Sequence, residues 1–131
     1  MCILGEFKVR NVVSLKLNKE FRRAYKKGKS AAGPSMVIYA YGSKGRTSRL
    51  GLTVSTKIGK AVIRNKIRRR LREIYRTNRE MIKDGYDIVI VARHRSRSAG
   101  YRELEEEFKR IAEKLGILKE PEPAPEARYE E

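Results

Sequence analysis

The stretch KIGKAVIRNKIRRRLREIYR, residues 57–76, decides the fold. Its apolar residues recur at steps of three and four, which places them along one side of an α-helix. They are Ile63, Ile67, Leu71 and Ile74, with Val62 and Tyr75 on the flanks. A second stripe, at steps of four, consists only of arginines: Arg64, Arg68, Arg72 and Arg76. The stretch predicts a helix from near Gly59 to about Glu80 that buries one side and exposes a strongly cationic side.

The charge on this helix favours an anionic partner. Nine lysines and arginines stand against one acid, Glu73. A helix face that only meets water normally mixes Glu with Lys at steps of four, because like charges at that spacing repel. Guanidinium groups also suit bidentate contacts to phosphate. We therefore prefer polyphosphate binding to a solvated charged face. Asn65 is a candidate for contacts to a base edge or a ribose, or else a neutral spacer.

Composition limits the classes of protein that fit this chain. Its 131 residues suffice for one domain, and 32 Lys and Arg against 16 Asp and Glu give a net charge of +16. Such an excess attracts nucleic acid or anionic membranes. No apolar run approaches the roughly 20 residues of a membrane span. The chain has no Trp to anchor an interfacial helix, and its opening lacks the apolar core of a signal peptide. Cys2 is the only cysteine, so we expect a soluble cytoplasmic protein without membrane contact.

The first half of the chain predicts a helix followed by two strands. Residues 1–13 form a poorly defined segment, in which 7–10 permit a short extended stretch. A helix is expected from Asn18 to Gly28, and residues 29–34 are expected to form a loop. Strands are expected at 35–41 and 49–55, and the short turn between them favours an antiparallel hairpin.

The second half adds a strand and a helix after the basic helix. The apolar run YDIVIVA, residues 86–92, suits a strand covered on both faces. An amphipathic helix follows at 101–116, and the Pro- and Glu-rich residues 119–131 are expected to be disordered. The order α-β-β-α-β-α predicts an α+β fold, an α/β sandwich with helices packed on a compact sheet.

Aromatic residues near basic ones point to unpaired RNA rather than duplex DNA. Phe21 and Tyr25 lie one helical turn apart, and Tyr39 lies on the first predicted strand. On an open face of the sheet, these rings would form a groove for stacked bases. The alternative is ordinary core packing, which we prefer for Phe21 and leave open for Tyr25 and Tyr39.

The sequence does not predict a catalytic site in the polypeptide. His94 is the only histidine, and it lies in RHRSRS without a nearby carboxylate or cysteine. No metal-ligand cluster, nucleophile elbow or phosphate loop of recognised spacing occurs. Asp84 and Asp87 flank a predicted turn, and turn formation is an adequate explanation for both.

The segment GLTVSTKIGKAVIRNKIRRRLREIYR resembles the signature of the bacterial ribonuclease P protein component, a strand that leads into the so-called RNR helix. The resemblance extends through LNKEFRRAYKKGKS, MVIYAY and GYDIVIVAR and covers most of residues 14–116. It implies an RNA-binding α/β domain at 14–118, with a mixed sheet and a left-handed β-α-β crossover. That handedness is opposite to the usual right-handed preference.

The resemblance also implies two binding surfaces. The RNR helix would lie against the catalytic RNA subunit through Lys57, Lys60, Arg64, Asn65, Lys66, Arg68, Arg69 and Arg72. The aromatics Phe21, Tyr25 and Tyr39 would contact the single-stranded 5′ leader of precursor tRNA. Lys60 departs from the frequent GNAV pattern, and Tyr25 stands where Phe is frequent. Hydrolysis that removes the leader would be carried out by the RNA with Mg²⁺, held mainly by the RNA. No metal bound by the protein alone and no obligate protein partner are expected.

Two other functions fit the composition. A structural protein that binds ribosomal RNA would show the same excess of positive charge. A nuclease that needs no RNA subunit would require an active site that the sequence does not predict.

Overall fold

The computed structural model of the chain describes residues 13–15, 18–42 and 48–119. Within these ranges the helices are α1 (Asn18–Lys27), α2 (Ala61–Thr77) and α3 (Tyr101–Leu115). The strands are β1 (Val13–Ser14), β2 (Lys29–Ala32), β3 (Met36–Gly42), β4 (Arg49–Thr53) and β5 (Tyr86–Ala92). Short 3₁₀ turns occur at Thr56–Ile58, Arg79–Met81 and His94–Arg97. The predictions for residues 7–10 and for the tail beyond Lys119 lie outside the described residues.

The described strands form one mixed sheet in the order β1-β4-β5-β3-β2. β5 pairs in parallel with β4 on one side and antiparallel with β3 on the other. The predicted hairpin between β3 and β4 is therefore wrong, because β5 lies between these two strands. The connection from β4 through α2 to β5 joins parallel neighbours, so it is the β-α-β crossover of the fold. Its left-handed sense stays a prediction.

Residues 29–32 form a strand where the sequence predicted a loop. β2 pairs antiparallel with β3, from Lys29 opposite Ala40 to Ala32 opposite Val37. It is an edge strand and largely exposed, with the sequence KSAA. Such a stretch lacks the branched and aromatic residues that identify strands from sequence, so its pairing depends on β3.

Helices cover both faces of the sheet, as the predicted α+β sandwich requires. On one face α2 and α3 pack over Ile38, Leu50, Ile88 and Ile90 in the larger core cluster. On the other face, α1 packs over Val89 through Ala24. β5 contributes to both clusters, which confirms the prediction that this strand is covered on both faces. α3 ends at Gly116, whose φ of 73° is the left-handed conformation that glycine accepts at a helix C-cap.

Candidate nucleic-acid interface

The basic helix folds as predicted, with one apolar side and one cationic side. Ile67, Leu71, Ile74 and Tyr75 are buried, and Ile63 is half-buried against the same core. Val62, predicted as a flank of the apolar stripe, is instead 78% exposed. Lys57 and Lys60 precede the helix and are exposed. The exposed residues of α2 on the predicted RNA-binding side are Asn65, Lys66, Arg69 and Arg72, whereas Arg64 and Arg68 are half-buried.

The arginine stripe of α2 is oriented mainly by neutral acceptors. Arg64 Nε donates to the Gly59 carbonyl at 3.1 Å, and Arg68 Nη1 donates to Asn65 Oδ1 at 2.9 Å. Arg72 Nη1 donates to Ser14 Oγ at 3.2 Å. These bonds orient the guanidinium groups without neutralising them.

Arg76 differs from the other arginines of the stripe because it forms an ion pair with Glu73. Hydrogen bonding from Arg76 lowers the pKa of Glu73, so this carboxylate is ionised at neutral pH. Among the described residues, this is the one ion pair that involves α2. The cationic side of the helix therefore keeps most of its charge for an external anion.

A groove of about 490 Å³ lies between α1 and α2 and opens to solvent. Its floor comes from β4 and the residue that follows it. The lining residues are Asn18, Phe21, Arg22, Tyr25, Leu52, Thr53, Val54 and Arg68. One arginine stands on each helical wall, Arg22 on α1 and Arg68 on α2, so both walls offer a partner for phosphate.

The three predicted aromatics come together beside this groove. The ring centroids of Phe21 and Tyr25 are 6.5 Å apart, and those of Tyr25 and Tyr39 are 4.9 Å apart in an edge-to-face arrangement. Tyr25 is 36% exposed, and its hydroxyl lies 2.9 Å from Thr53 Oγ1. Phe21 is half-buried and packs over Gly51, where an added Cβ would lie 2.6 Å from its ring. Phe21 thus packs partly in the core, as preferred, while it also lines the groove.

Tyr39 takes a different position from the one considered in the sequence. It is half-buried on the sheet face that α1 covers, and it does not line the groove. Its contact with the groove runs through the ring of Tyr25. Of the three predicted aromatics, Tyr25 therefore exposes the most of its side chain beside the groove.

An ion-pair network that the sequence did not predict holds α1 against the sheet. Arg49 of β4 bonds Asp87 of β5 and Glu20 of α1. Arg23 of α1 lies 3.5 Å from the same Asp87 carboxylate and over the ring of Tyr41. The explanation of Asp87 as a turn residue is wrong, because it is buried within β5. An acid inside the apolar run YDIVIVA was the signal that could have indicated a buried partner.

Asp84 and His94 lie in exposed turns outside the groove. Asp84 pairs with Arg79, which lowers the pKa of this carboxyl group through a hydrogen bond. Within the described ranges, no cluster of three or more His, Cys, Asp or Glu is arranged to hold a metal ion. None of the described helices is long and apolar enough to cross a bilayer.

Comparison with known proteins finds relatives that match nearly all of the described chain. The sequence model of the family Ribonuclease P matches residues 9–116. The ribonuclease P protein component of Alkaliphilus oremlandii is 41% identical over 104 residues, which are 79% of this chain and 91% of the relative. That of Clostridium kluyveri is 40% identical over 111 residues, covering 83% of this chain and 99% of the relative.

The fold is also similar to that of a solved structure. The Staphylococcus aureus RNase P protein superposes with a TM-score of 0.76 at 31% identity, over 82% of this chain and 99% of that one. The chain therefore belongs to the ribonuclease P protein family, and it is a protein subunit of the endoribonuclease holoenzyme that processes the 5′ end of tRNA.

Proposed function

We propose that this chain binds the catalytic RNA of ribonuclease P through α2 and the 5′ leader of precursor tRNA through the groove beside α1. The observation that carries the first part is the cationic side of α2. Its arginines are held by neutral acceptors, and only Arg76 meets a carboxylate among the described residues. Since like charges at steps of four repel, an RNA backbone that covers them lowers the energy of this surface.

The groove supports the second part of the proposal. Bases of a single strand stack on aromatic rings, whereas those of an RNA helix are enclosed in the duplex. Tyr25 offers an exposed ring, and Arg22 and Arg68 stand on the walls beside it. An extended leader in this groove would place its bases on the ring of Tyr25 and its phosphates on Arg22 of α1, which leaves Arg68 of α2 for the catalytic RNA.

Catalysis is assigned to the RNA subunit with Mg²⁺. Mg²⁺ takes oxygen ligands, chiefly carboxylate, phosphate and water. Among the described residues, no three or more His, Cys, Asp or Glu side chains are grouped so that they could hold such an ion. The contribution of the chain is to neutralise phosphates where two polyanions meet, which raises substrate affinity and favours divalent ions at the RNA site.

We further propose that this assembly works in the cytoplasm and needs no second protein. A structural role on ribosomal RNA is not favoured, because the family match and the solved structure both identify ribonuclease P proteins. Cosedimentation with ribosomes without stimulation of leader cleavage would instead support that role.

The leader part is tested by the affinity of the reconstituted holoenzyme for precursor and mature tRNA. We expect tighter binding of the precursor, and a specific loss of this advantage in Tyr39→Ala, because Tyr39 supports the ring of Tyr25. Tyr86→Ala is the matched control, since this half-buried tyrosine packs in the core on the other face. Equal affinity of the wild type for both tRNAs would remove the leader-binding function.

The RNA-subunit part is tested by Arg68→Ala. We expect weaker binding of the catalytic RNA and a salt slope smaller in magnitude by about 0.7–0.9, the loss of one phosphate contact. Arg110→Ala on the exposed side of α3 removes the same charge elsewhere and should leave both quantities unchanged. An unchanged slope in Arg68→Ala would contradict this contact.

A further inference from the structure

Residues 120–131, here called the acidic tail, are opposite in charge to the rest of the chain. The segment reads EPEPAPEARYEE, in which five glutamates stand against one arginine, a net charge of −4. It lies beyond residue 116, where the match to the family model ends. Apart from Tyr129 it has no large apolar side chain, and three of its residues are proline. Charge is therefore the main property with which the acidic tail can recognise another surface.

The chain leaves the described domain in the direction of α2. Residues 117–119 pair antiparallel with residues 81–83 through two backbone hydrogen bonds, of 2.8 and 2.7 Å, on either side of the bridge between Ile82 and Leu118. The last residue of the first stretch lies beside the first residue of the second, so the chain points towards Thr77, where α2 ends. The acidic tail therefore starts beside the C-terminal end of the basic helix.

α2 offers three exposed cations within the reach of this segment. Lys66, Arg69 and Arg72 follow one another at steps of three, which places them along one side of the helix. They are exposed, and none of them forms an ion pair with a described residue. The 17 residues of α2 span about 26 Å, whereas 12 residues of extended chain span up to about 40 Å. The acidic tail is thus long enough to follow the exposed side of α2 over its whole length.

The shallow groove beside α3 is a poorer site for the acidic tail, although it lies closer to Lys119. It has a volume of about 370 Å³, and its lining residues are Met81, Glu106, Lys109, Arg110, Glu113 and Leu118. Its two acids balance its two cations, and the acidic tail has no aliphatic side chain to pack on Met81 and Leu118. On α2 the one acid, Glu73, is already paired with Arg76. Charge complementarity therefore favours α2.

We infer that the acidic tail binds the exposed side of α2 in the protein free of RNA, through Lys66, Arg69 and Arg72, and competes there with RNA. This rests on the proposed function, since it concerns the surface proposed for the catalytic RNA. Each exposed ion pair is weak and screened by salt, but the covalent tether keeps the acidic tail at a high effective concentration beside α2.

The consequence is a filter against unrelated RNA. Competition lowers the affinity for every RNA that binds α2 by the same factor, the fraction of molecules in which α2 is uncovered. RNA that makes few phosphate contacts is then lost at concentrations at which the catalytic RNA, bound through more contacts, stays saturated. The acidic tail would thus limit unspecific binding by a strongly cationic protein.

The position of the acidic tail is tested by carbodiimide cross-linking of the full chain without RNA. The reagent joins a carboxylate to a lysine amine that is in contact with it. We expect links between the tail glutamates and Lys66, identified by mass spectrometry, and their loss in an excess of catalytic RNA. Lys109 reports on the groove beside α3. Absence of the Lys66 link, with or without a link to Lys109, would overturn the inference. So would a Lys66 link whose yield rises with protein concentration, because it would join two copies of the chain.

The competition is tested by the triple variant Glu122→Gln/Glu126→Gln/Glu130→Gln, with a duplex RNA of unrelated sequence as the probe. If the acidic tail covers α2 in about nine tenths of the free molecules, the variant should bind this RNA about tenfold more tightly at low salt, about 50 mM. The gain should shrink at about 200 mM salt because screening weakens the ion pairs of the tail.

The matched control is Glu103→Gln/Glu106→Gln/Glu113→Gln, which removes three exposed acids of α3 and changes the net charge by the same amount. We expect it to bind the duplex RNA nearly as the wild type does. Equal affinities of the two triple variants would show an effect of net charge alone and would overturn the inference. Failure of the wild type to bind catalytic RNA would contradict the proposed function, whereas the cross-link to Lys66 in the free protein is measured independently of it.

Discussion

Arg49 and Asp87 form a bidentate ion pair across the parallel strands β4 and β5. Arg49 Nε lies 2.9 Å from Asp87 Oδ1, and Arg49 Nη2 lies 2.8 Å from Asp87 Oδ2. The Asp87 side chain is fully buried, and Arg49 Nη1 continues to Glu20 of α1 at 2.6 Å. α1 has ten residues and one fully buried side chain, Ala24. The pair therefore connects a helix with few apolar contacts to the centre of the sheet.

Replacing Arg49 by Ala should destabilise the fold by about 3 kcal/mol, because the buried Asp87 carboxylate loses its bidentate partner. Urea unfolding of the purified protein measures this change. The variant should also lose affinity for precursor tRNA, since α1 carries Phe21 and Tyr25 into the groove.

The exposed pair between Arg79 and Asp84 is the control for this experiment. Its Asp84 side chain is 60% exposed, so Arg79→Ala should change stability by no more than about 1 kcal/mol. Equal losses in the two variants would mean that the Arg49–Asp87 pair has no special part in holding α1.

The ring of Tyr25, rather than its hydroxyl, should determine leader binding. Tyr25→Phe keeps the contacts with Phe21 and Tyr39 and removes only the hydrogen bond with Thr53. We expect precursor affinity close to the wild type for Tyr25→Phe. Tyr25→Ala should lose about 1–3 kcal/mol, which is about 5- to 150-fold in Kd.

Mature tRNA, which lacks the leader, provides the comparison for both Tyr25 variants. Its affinity should not change in either of them. An equal loss for mature and precursor tRNA in Tyr25→Ala would show that the ring supports the protein and not the leader.

The buried hydroxyl of Tyr75 is a site where the fold can be made more stable. Tyr75 is fully buried in the core, and its hydroxyl makes no hydrogen bond of normal geometry among the described residues, although the nearby Ser48 hydroxyl acts weakly against the rise in its pKa. Because an unpaired buried polar group is costly, Tyr75→Phe should raise the free energy of unfolding by about 1 kcal/mol. Urea unfolding measures it, and a loss of stability would show that the hydroxyl has a partner such as water.

The same group predicts a difference at alkaline pH. Burial is the main cause that raises the pKa of Tyr75 in the folded protein. As pH rises above about 10, the phenol ionises in the unfolded chain while the folded chain keeps it neutral, so the wild type loses stability. Tyr75→Phe lacks this ionisable group. The amount by which its free energy of unfolding exceeds that of the wild type should therefore increase between about pH 9 and pH 11. A constant advantage over this range would contradict the assignment.

Local patterns were sufficient for the helices and for β5, because each depends on spacing within one segment. The basic helix was expected from near Gly59 to about Glu80 and runs over Ala61–Thr77. The prediction of a hairpin was wrong. A short connection favours pairing of neighbouring strands, whereas β3 pairs with β5, which lies far along the chain. The sequence of the connecting turn does not indicate non-local pairing of this kind.

Local sequence patterns also could not predict contacts between side chains and residues that are distant in sequence. Glu107 of α3 is buried and accepts hydrogen bonds from the backbone N–H groups of Ser35 and Met36, more than 70 residues away. The amphipathic pattern of α3 would allow a solvated acid at this position. The aromatic cluster could be predicted in membership but not in geometry, since the sheet face of Tyr39 depends on where α1 packs.

The proposed function is tested most directly by cleavage of a 5′-labelled precursor tRNA at low Mg²⁺, with the protein reconstituted with its catalytic RNA. We expect the protein to stimulate release of the leader well above the rate of the RNA alone, and the protein freed of RNA to be inactive. Absence of stimulation, together with failure of the protein to bind the catalytic RNA at near-physiological salt, would contradict the proposed function.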